Sequence, residues 1–148
     1  MNGAEQNPDG ETYADEWVIR RLLHSAGTIA IVGLSSNVLR PSNFVGFYLQ
    51  RHGYRIVPVN PRETEILGEK CYPDLDSVPE KIDIVDIFRR SEFVPEIVEA
   101  AIRIGAKSVW MQEGVIHEAA ARRAEEAGLA VVMDRCILKD HRRFAHAS

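Results

Sequence analysis

The run Gly27-Thr28-Ile29-Ala30-Ile31-Val32-Gly33-Leu34-Ser35-Ser36-Asn37 sets five strand-forming residues between two glycines and follows them with small polar residues. The same punctuation recurs along the chain. Gly53 precedes Arg55-Ile56-Val57-Pro58-Val59, Gly105 precedes Lys107-Ser108-Val109-Trp110-Met111, and Gly128 precedes Ala130-Val131-Val132-Met133. Each of these glycines closes a helical pattern (43–52, about 92–104, and 117–127), as a glycine just past a helix end does. The wider gap between Gly53 and Gly105 holds one more apolar run, Asp83-Ile84-Val85-Asp86-Ile87. Five short Val/Ile-rich runs alternating with helices predict βαβ units around a parallel sheet buried on both faces. Right-handed crossovers then make this a single-domain, Rossmann-like, doubly wound α/β fold, with the usual strand order 3-2-1-4-5.

Outward from that frame, a first helix is expected over 12–26, where Val18, Ile19, Leu22 and Leu23 form a one-sided stripe. Residues 1–11 are polar, with a proline and two glycines, and read as a disordered tail ahead of a domain spanning 12–148. One segment breaks the rhythm. Between the second and third strands, residues 61–79 carry Pro61, Pro73, Pro79 and Gly68 where a crossover helix belongs. A long loop is expected there, and long loops in compact domains are usually functional.

Composition removes several function classes. The chain has 148 residues, 18 Lys+Arg against 22 Asp+Glu, and a net charge of −4, which gives no broad electrostatic footprint for nucleic acid or anionic membrane. Its two cysteines, Cys71 and Cys136, are too few for a disulfide scaffold or structural zinc. The five histidines show no HExxH spacing, so no metal site is expected, and there is neither a P-loop nor a G-x-S-x-G elbow. No run of 18 apolar residues and no secretory pattern is present, and a cytoplasmic protein is expected.

In a doubly wound sheet, ligands bind outside the carboxyl ends of the strands. After the first strand stand Gly33, Ser35, Ser36, Arg40, Pro41 and Ser42. A glycine that lets backbone approach, two hydroxyls, helix N-terminal amides and an arginine suit a phosphate. Taken alone, the segment is also an ordinary βα loop with Ser42 as helix cap. Gly46 inside the next helix suggests a close approach to the sheet. A dinucleotide fingerprint needs G-x-G-x-x-G and an acid after the second strand. Only the first glycine is present, and the second strand ends Pro58-Val59-Asn60-Pro61-Arg62, with no acid before Glu63. Arg62 suits a ribose phosphate, either that of NADP or the 3′-phosphate of coenzyme A. Phe88-Arg89-Arg90 after the third strand adds another anion contact, and Gln112-Glu113-Gly114 and Asp134-Arg135-Cys136 follow the fourth and fifth. Trp110 reads as a core aromatic.

Taken together, the segments Val32-Gly33 to Arg40-Pro41-Ser42, Pro58 to Arg62, Val85 to Arg90, Val109 to Gly114 and Met133 to Cys136 resemble the small stand-alone CoA-binding domain proteins. That family is similar to the CoA-binding domain of the succinyl-CoA synthetase α subunit. The resemblance covers about Trp17 to Phe144. It implies coenzyme A or an acyl-CoA as ligand, with Gly33, Ser35, Ser36 and Arg40 on the pyrophosphate side. Pro58, Asn60, Pro61 and Arg62 would meet the adenosine 3′-phosphate, Phe88 and Arg89 the adenine and pantetheine side, and Gln112 and Glu113 the loop beyond. His117 departs from the pattern, which has a small polar residue there.

The chain has no counterpart of the synthetase's phosphohistidine domain, so the resemblance implies CoA binding with no catalytic residue and no ligation by this chain alone. The alternatives are an acyl-CoA enzyme using Glu113 or Cys136, and an NADP-dependent oxidoreductase. In the order 3-2-1-4-5, Cys136 would follow a strand two places from the first, near enough for a mixed disulfide with the CoA thiol, with Arg135 favouring the thiolate. Apolar residues exposed on the first helix would allow a homodimer.

Overall fold

The computed structural model describes residues 15–145, so the expected tail and the expected helix start at Thr12 lie outside it. The elements run α1 (Glu16–Ser25), β1 (Thr28–Val32), α2 (Pro41–Arg51), β2 (Arg55–Val59), β3 (Glu65–Ile66), β4 (Glu69–Lys70), β5 (Ile84–Ile87), α3 (Val94–Arg103), β6 (Ser108–Met111), α4 (Glu118–Glu126), β7 (Ala130–Val132) and α5 (Ile137–Asp140). A π-helical turn, His141–Ala145, continues α5.

Five strands pair in parallel in the order β2-β1-β5-β6-β7. The Rossmann-like reading stands, but the expected strand order does not. Counted as the five long strands, the order is 2-1-3-4-5, so the last strand lies three places from the first. The chain reverses direction across the sheet between β1 and β5, and the carboxyl ends of those strands form the crevice where such folds bind ligands.

Strand alternation sorts the core into two layers. Ala30, Val32, Val85, Ile87, Val109 and Met111 face α3 and α4. Ile29, Ile31, Ile84, Trp110 and Val132 face α1, α2 and α5, and Trp110 is fully buried, its indole N–H donating to the Arg135 carbonyl at 2.8 Å. The α1 stripe is consumed here: Ile19, Leu22 and Leu23 are buried, and Trp17 alone is a large exposed apolar side chain on that helix. The helix surface expected to support a homodimer is thus turned into the core. Elsewhere among the described residues the large exposed apolar side chains are Val38, Leu39, Phe44, Phe47 and Ile116.

Segment 61–79 is not one loop. It holds the β3–β4 hairpin, with Leu67 and Gly68 at positive φ in its turn, and a 3-10 turn at Leu75–Ser77 capped by Asp74. A prolyl residue in β2 is tolerated because β2 is an edge strand. The Pro58 carbonyl accepts from the Tyr72 N–H at 3.0 Å. Gly46 lets α2 approach the sheet as expected: a Cβ there would stand 3.5 Å from Ile31 of β1, and 3.1 Å from the loop side chains of Leu34 and Leu67.

One residue violates the layer rule. Asp86 lies on the face of Ile84, in register between Ile31 and Trp110, fully buried, with neither carboxylate oxygen partnered among the described residues. Burial alone pushes its carboxyl well above the usual carboxylate range.

Candidate functional site

The β1–α2 loop is built by its own short polar residues. Asn37 N–H donates to Ser35 Oγ (3.0 Å), and Leu39 N–H donates to Asn37 Oδ1 (2.9 Å). Ser42 is not the helix cap: Arg40 holds that position, Pro41 opens α2, and Ser42 Oγ reaches back to accept from Ser35 N–H at 3.0 Å. Asn43 Nδ2 donates to the Ser35 carbonyl at 2.9 Å. The loop is therefore pinned to the first turn of α2 by two buried side chains.

The β2 loop is pinned in turn. Asn60 Nδ2 donates to the Leu34 carbonyl (2.9 Å), its Oδ1 accepts from Arg62 N–H (2.8 Å), and Ser36 Oγ donates to Glu63 Oε2 (2.7 Å). Cys71 packs below, with Sγ donating to the Asn60 carbonyl at 3.5 Å, and burial pushes its thiol up.

These loops and the end of β5 enclose a cleft of about 590 Å³, lined by Gly33, Ser35, Arg40, Pro41, Ser42, Asn60, Pro61, Arg62, Glu63, Phe88 and Arg89. A second recess of about 320 Å³ shares Pro61 and Arg89 with it and has an apolar wall of Val32, Val59, Leu75 and Ile97. The charge pattern is uneven. Arg20, Arg55, Arg90, Arg103, Arg123 and Arg135 each pair with a carboxylate. Among the described residues no such pair involves Arg40, Arg62 or Arg89; Arg89 rests over the Phe93 ring. Three guanidiniums without counter-ions thus share one preformed cleft, an arrangement complementary to a ligand carrying several phosphate groups.

Of the residues singled out in the sequence, Gly33, Ser35, Arg40, Asn60, Pro61, Arg62, Phe88 and Arg89 line this cleft, and Ser36 touches it through Glu63. Pro58 does not: it is buried in β2, paired with Ile31. Gln112 and Glu113 lie outside the lining too. Gln112 is buried and its Oε1 accepts from Ile137 N–H at 3.1 Å, while Glu113 pairs with Lys139 at 3.1 Å. With Asp134 Oδ1 accepting from Gly114 N–H at 2.7 Å, these residues tie the end of β6 to the segment after β7.

Cys136 is set at the start of α5, beyond that tie, and Arg135 beside it is held by two bonds of 2.7 Å to Asp140. That guanidinium is spent on a carboxylate and not on a thiolate, and the strand order sets Cys136 one strand farther from β1 than expected. His117 replaces the small polar residue in kind: its side chain caps α4, accepting from Ala120 N–H at 3.1 Å. Among the described residues no group of three or more potential ligands could hold a metal ion, and no helix is long and apolar enough to cross a membrane.

Three lining residues, Pro41, Ser42 and Glu63, lie outside the binding set expected from the sequence. Taken alone, Ser42 reads as a helix cap and Glu63 as an acid arriving too late for the dinucleotide pattern. The signal for Ser42 was Pro41: proline at the first helical position moves the cap to Arg40 and frees the serine hydroxyl.

Gly33 has φ +93°, and its N–H donates to the Val59 carbonyl at 2.9 Å. A Cβ there would overlap the Phe88 carbonyl oxygen and lie 3.1 Å from Arg89 Cδ. A valine at this position is therefore expected to cost stability whether or not a ligand is present, because the backbone just past the end of β5 leaves no room for a Cβ.

Comparison with known proteins identifies the family and the fold. The chain is 40% identical over 123 residues to the uncharacterized protein YneT of Bacillus subtilis, covering 83% of this chain and 91% of that protein. A hypothetical protein from Pyrococcus horikoshii OT3 superposes with a TM-score of 0.85 at 42% identity, over 93% of this chain and 94% of its own. Acetate–CoA ligase [ADP-forming] II of Archaeoglobus fulgidus is 29% identical over 100 residues, 66% of this chain but only 15% of the ligase. A family model described as a CoA binding domain matches residues 27–142, from the glycine before β1 to the turn after α5, and the chain belongs to that CoA-binding domain family.

Proposed function

We propose that the cleft binds coenzyme A or an acyl-CoA and that the chain itself performs no chemistry on it. The observation that carries this reading is the convergence of Arg40, Arg62 and Arg89, all without carboxylate partners among the described residues, on one preformed cleft at the sheet's reversal point. CoA has a pyrophosphate and a ribose phosphate, enough negative charge for all three. In this reading the pyrophosphate lies against Gly33, Ser35 and Arg40, where the N-terminus of α2 adds its amides and dipole. Arg62 takes the 3′-phosphate. Phe88 and Arg89 flank the base and the arm, and the second recess provides apolar surface next to them.

The acyl-CoA enzyme alternative has no support in the lining, since Glu113 and Cys136 stand outside it and the one acid inside, Glu63, is hydrogen bonded to Ser36. An oxidoreductase on NADP remains a ligand question, answered by the same assay.

The test is a thermal-shift series with CoA, dephospho-CoA and NADPH. A charge-assisted hydrogen bond contributes roughly 1.5–3 kcal/mol. CoA is therefore expected to raise the melting temperature more than dephospho-CoA, and Arg62→Ala to remove that difference. Equal shifts with CoA and dephospho-CoA in the parent protein would overturn the role of Arg62. A larger shift with NADPH than with CoA would overturn the ligand.

A further inference from the structure

Glu63 is the one carboxylate among the residues lining the cleft, and no ion pair among the described residues joins it to the arginines there. Its side chain is half-buried, and Oε2 accepts from the Ser36 hydroxyl at 2.7 Å, across the gap between the β1 and β2 loops. The same Asn60 fixes both Arg62 and its neighbour: Oδ1 accepts from Arg62 N–H at 2.8 Å, and the Asn60 carbonyl accepts from Glu63 N–H at 3.4 Å.

A carboxylate fixed in an anion cradle repels every phosphate placed against it. Being an acceptor only, it is complementary to a donor on the ligand. Consecutive Cα atoms lie about 3.8 Å apart, so Arg62 and Glu63 present a cation and an acceptor side by side. A ribose with one phosphorylated oxygen and one free vicinal hydroxyl presents the matching pair.

We propose that Glu63 accepts the free ribose hydroxyl next to the phosphate held by Arg62, so that the cleft selects a ribose bearing one phosphate and one vicinal hydroxyl. This rests on the CoA reading and names the feature of the ligand that reading leaves open. In CoA the phosphate is the 3′-group and the hydroxyl the 2′-group. Ser36 is a positioning residue: it holds Oε2, and Oε1 has no protein partner among the described residues.

Calorimetric titrations with adenosine 3′,5′-bisphosphate and its 2′-deoxy analogue test this, with CoA titrated alongside. The parent protein should bind the ribose compound at least about tenfold more tightly, as loss of a hydrogen bond to a charged group requires. Glu63→Ala should bring the two within about twofold of each other, and Ser36→Ala should narrow the gap partway. A ratio isolates the hydroxyl, because any general weakening of the loop by a variant affects both compounds equally. Comparable affinities in the parent protein, or a preference that survives Glu63→Ala, would overturn the role of Glu63 while CoA binding stood. Failure of the parent protein to bind CoA at all would remove the CoA reading, and this proposal with it.

Discussion

Gly33→Val is expected to lower the melting temperature by on the order of 10 °C, with or without ligand. Two costs act at this residue. The backbone sits at φ +93°, and left-handed conformations cost roughly 1–2 kcal/mol for a residue with a Cβ. The added Cβ would also overlap the Phe88 carbonyl oxygen, an atom of backbone and not the movable end of a side chain. That backbone is anchored, because Phe88 N–H donates to the Val32 carbonyl at 2.8 Å where β1 and β5 end. Relieving the clash means parting the two central strands, a change in the range of about 1–3 kcal/mol for overpacking. About 3 kcal/mol in total corresponds to roughly 10 °C in a domain of this size. Thermal denaturation followed by circular dichroism checks it, with Gly33→Ala expected to show most of the loss. A melting temperature equal to that of the parent would show that the β5 end yields easily. Loss of CoA binding in this variant does not by itself identify a ligand contact; the arginine variants do.

Asp86→Asn is expected to stabilise the protein, and by more as pH rises. Asp86 is fully buried, unpartnered among the described residues and set in the Ile31–Ile84–Trp110 layer, and desolvation pushes its carboxyl well above the usual carboxylate range. Above the pKa of the unfolded carboxyl, the unfolded chain releases this proton and the folded protein retains it. The folded state thus binds more protons, and stability falls with rising pH until the folded carboxyl itself ionises. The slope is about 1.4 kcal/mol per pH unit over that window. Below the unfolded pKa both states are protonated and the effect vanishes. Asparagine keeps the shape and removes the ionisation. Urea denaturation of both proteins at pH 5 and pH 7 should therefore show the variant gaining on the parent at the higher pH. A stability difference independent of pH would mean that the folded carboxyl is ionised and has found partners.

The sheet was legible because four of its strands are announced locally by a glycine after a helix and a short apolar run, and the fifth, β5, by its apolar run alone. Strand order is a different kind of information. Nothing in the run Ile84-Val85-Asp86-Ile87 states whether it lies beside β1 or beyond β2, since both placements bury the same side chains. The cleft was legible where its residues follow strands directly, as Gly33, Asn60, Arg62, Phe88 and Arg89 do. It was less so where tertiary contacts reassign a side chain. Gln112 and Glu113 stand at a strand end as a ligand residue would, yet α5 folds back and engages both of them. Pro58 belongs to a motif that reaches the cleft, but it lies within β2, where its ring is buried on a face of the sheet beside Ile31. The hairpin at 65–70 was hidden because two-residue strands have no periodicity to display, and its turn relies on Leu67 at φ 55°, an uncommon conformation for leucine.

In the proposed site Arg40, Arg62 and Arg89, none of them ion-paired among the described residues, together hold one CoA. Calorimetric titration of CoA into the parent protein and into the triple variant Arg40→Ala/Arg62→Ala/Arg89→Ala tests it most directly. None of the three side chains is ion-paired among the described residues, so their removal should leave the fold intact by circular dichroism. The parent is expected to bind one CoA per chain, more weakly as salt is raised, and the triple variant to show no saturable binding. Parent protein that takes up no CoA, or a triple variant that binds it as tightly as the parent, would contradict the assignment.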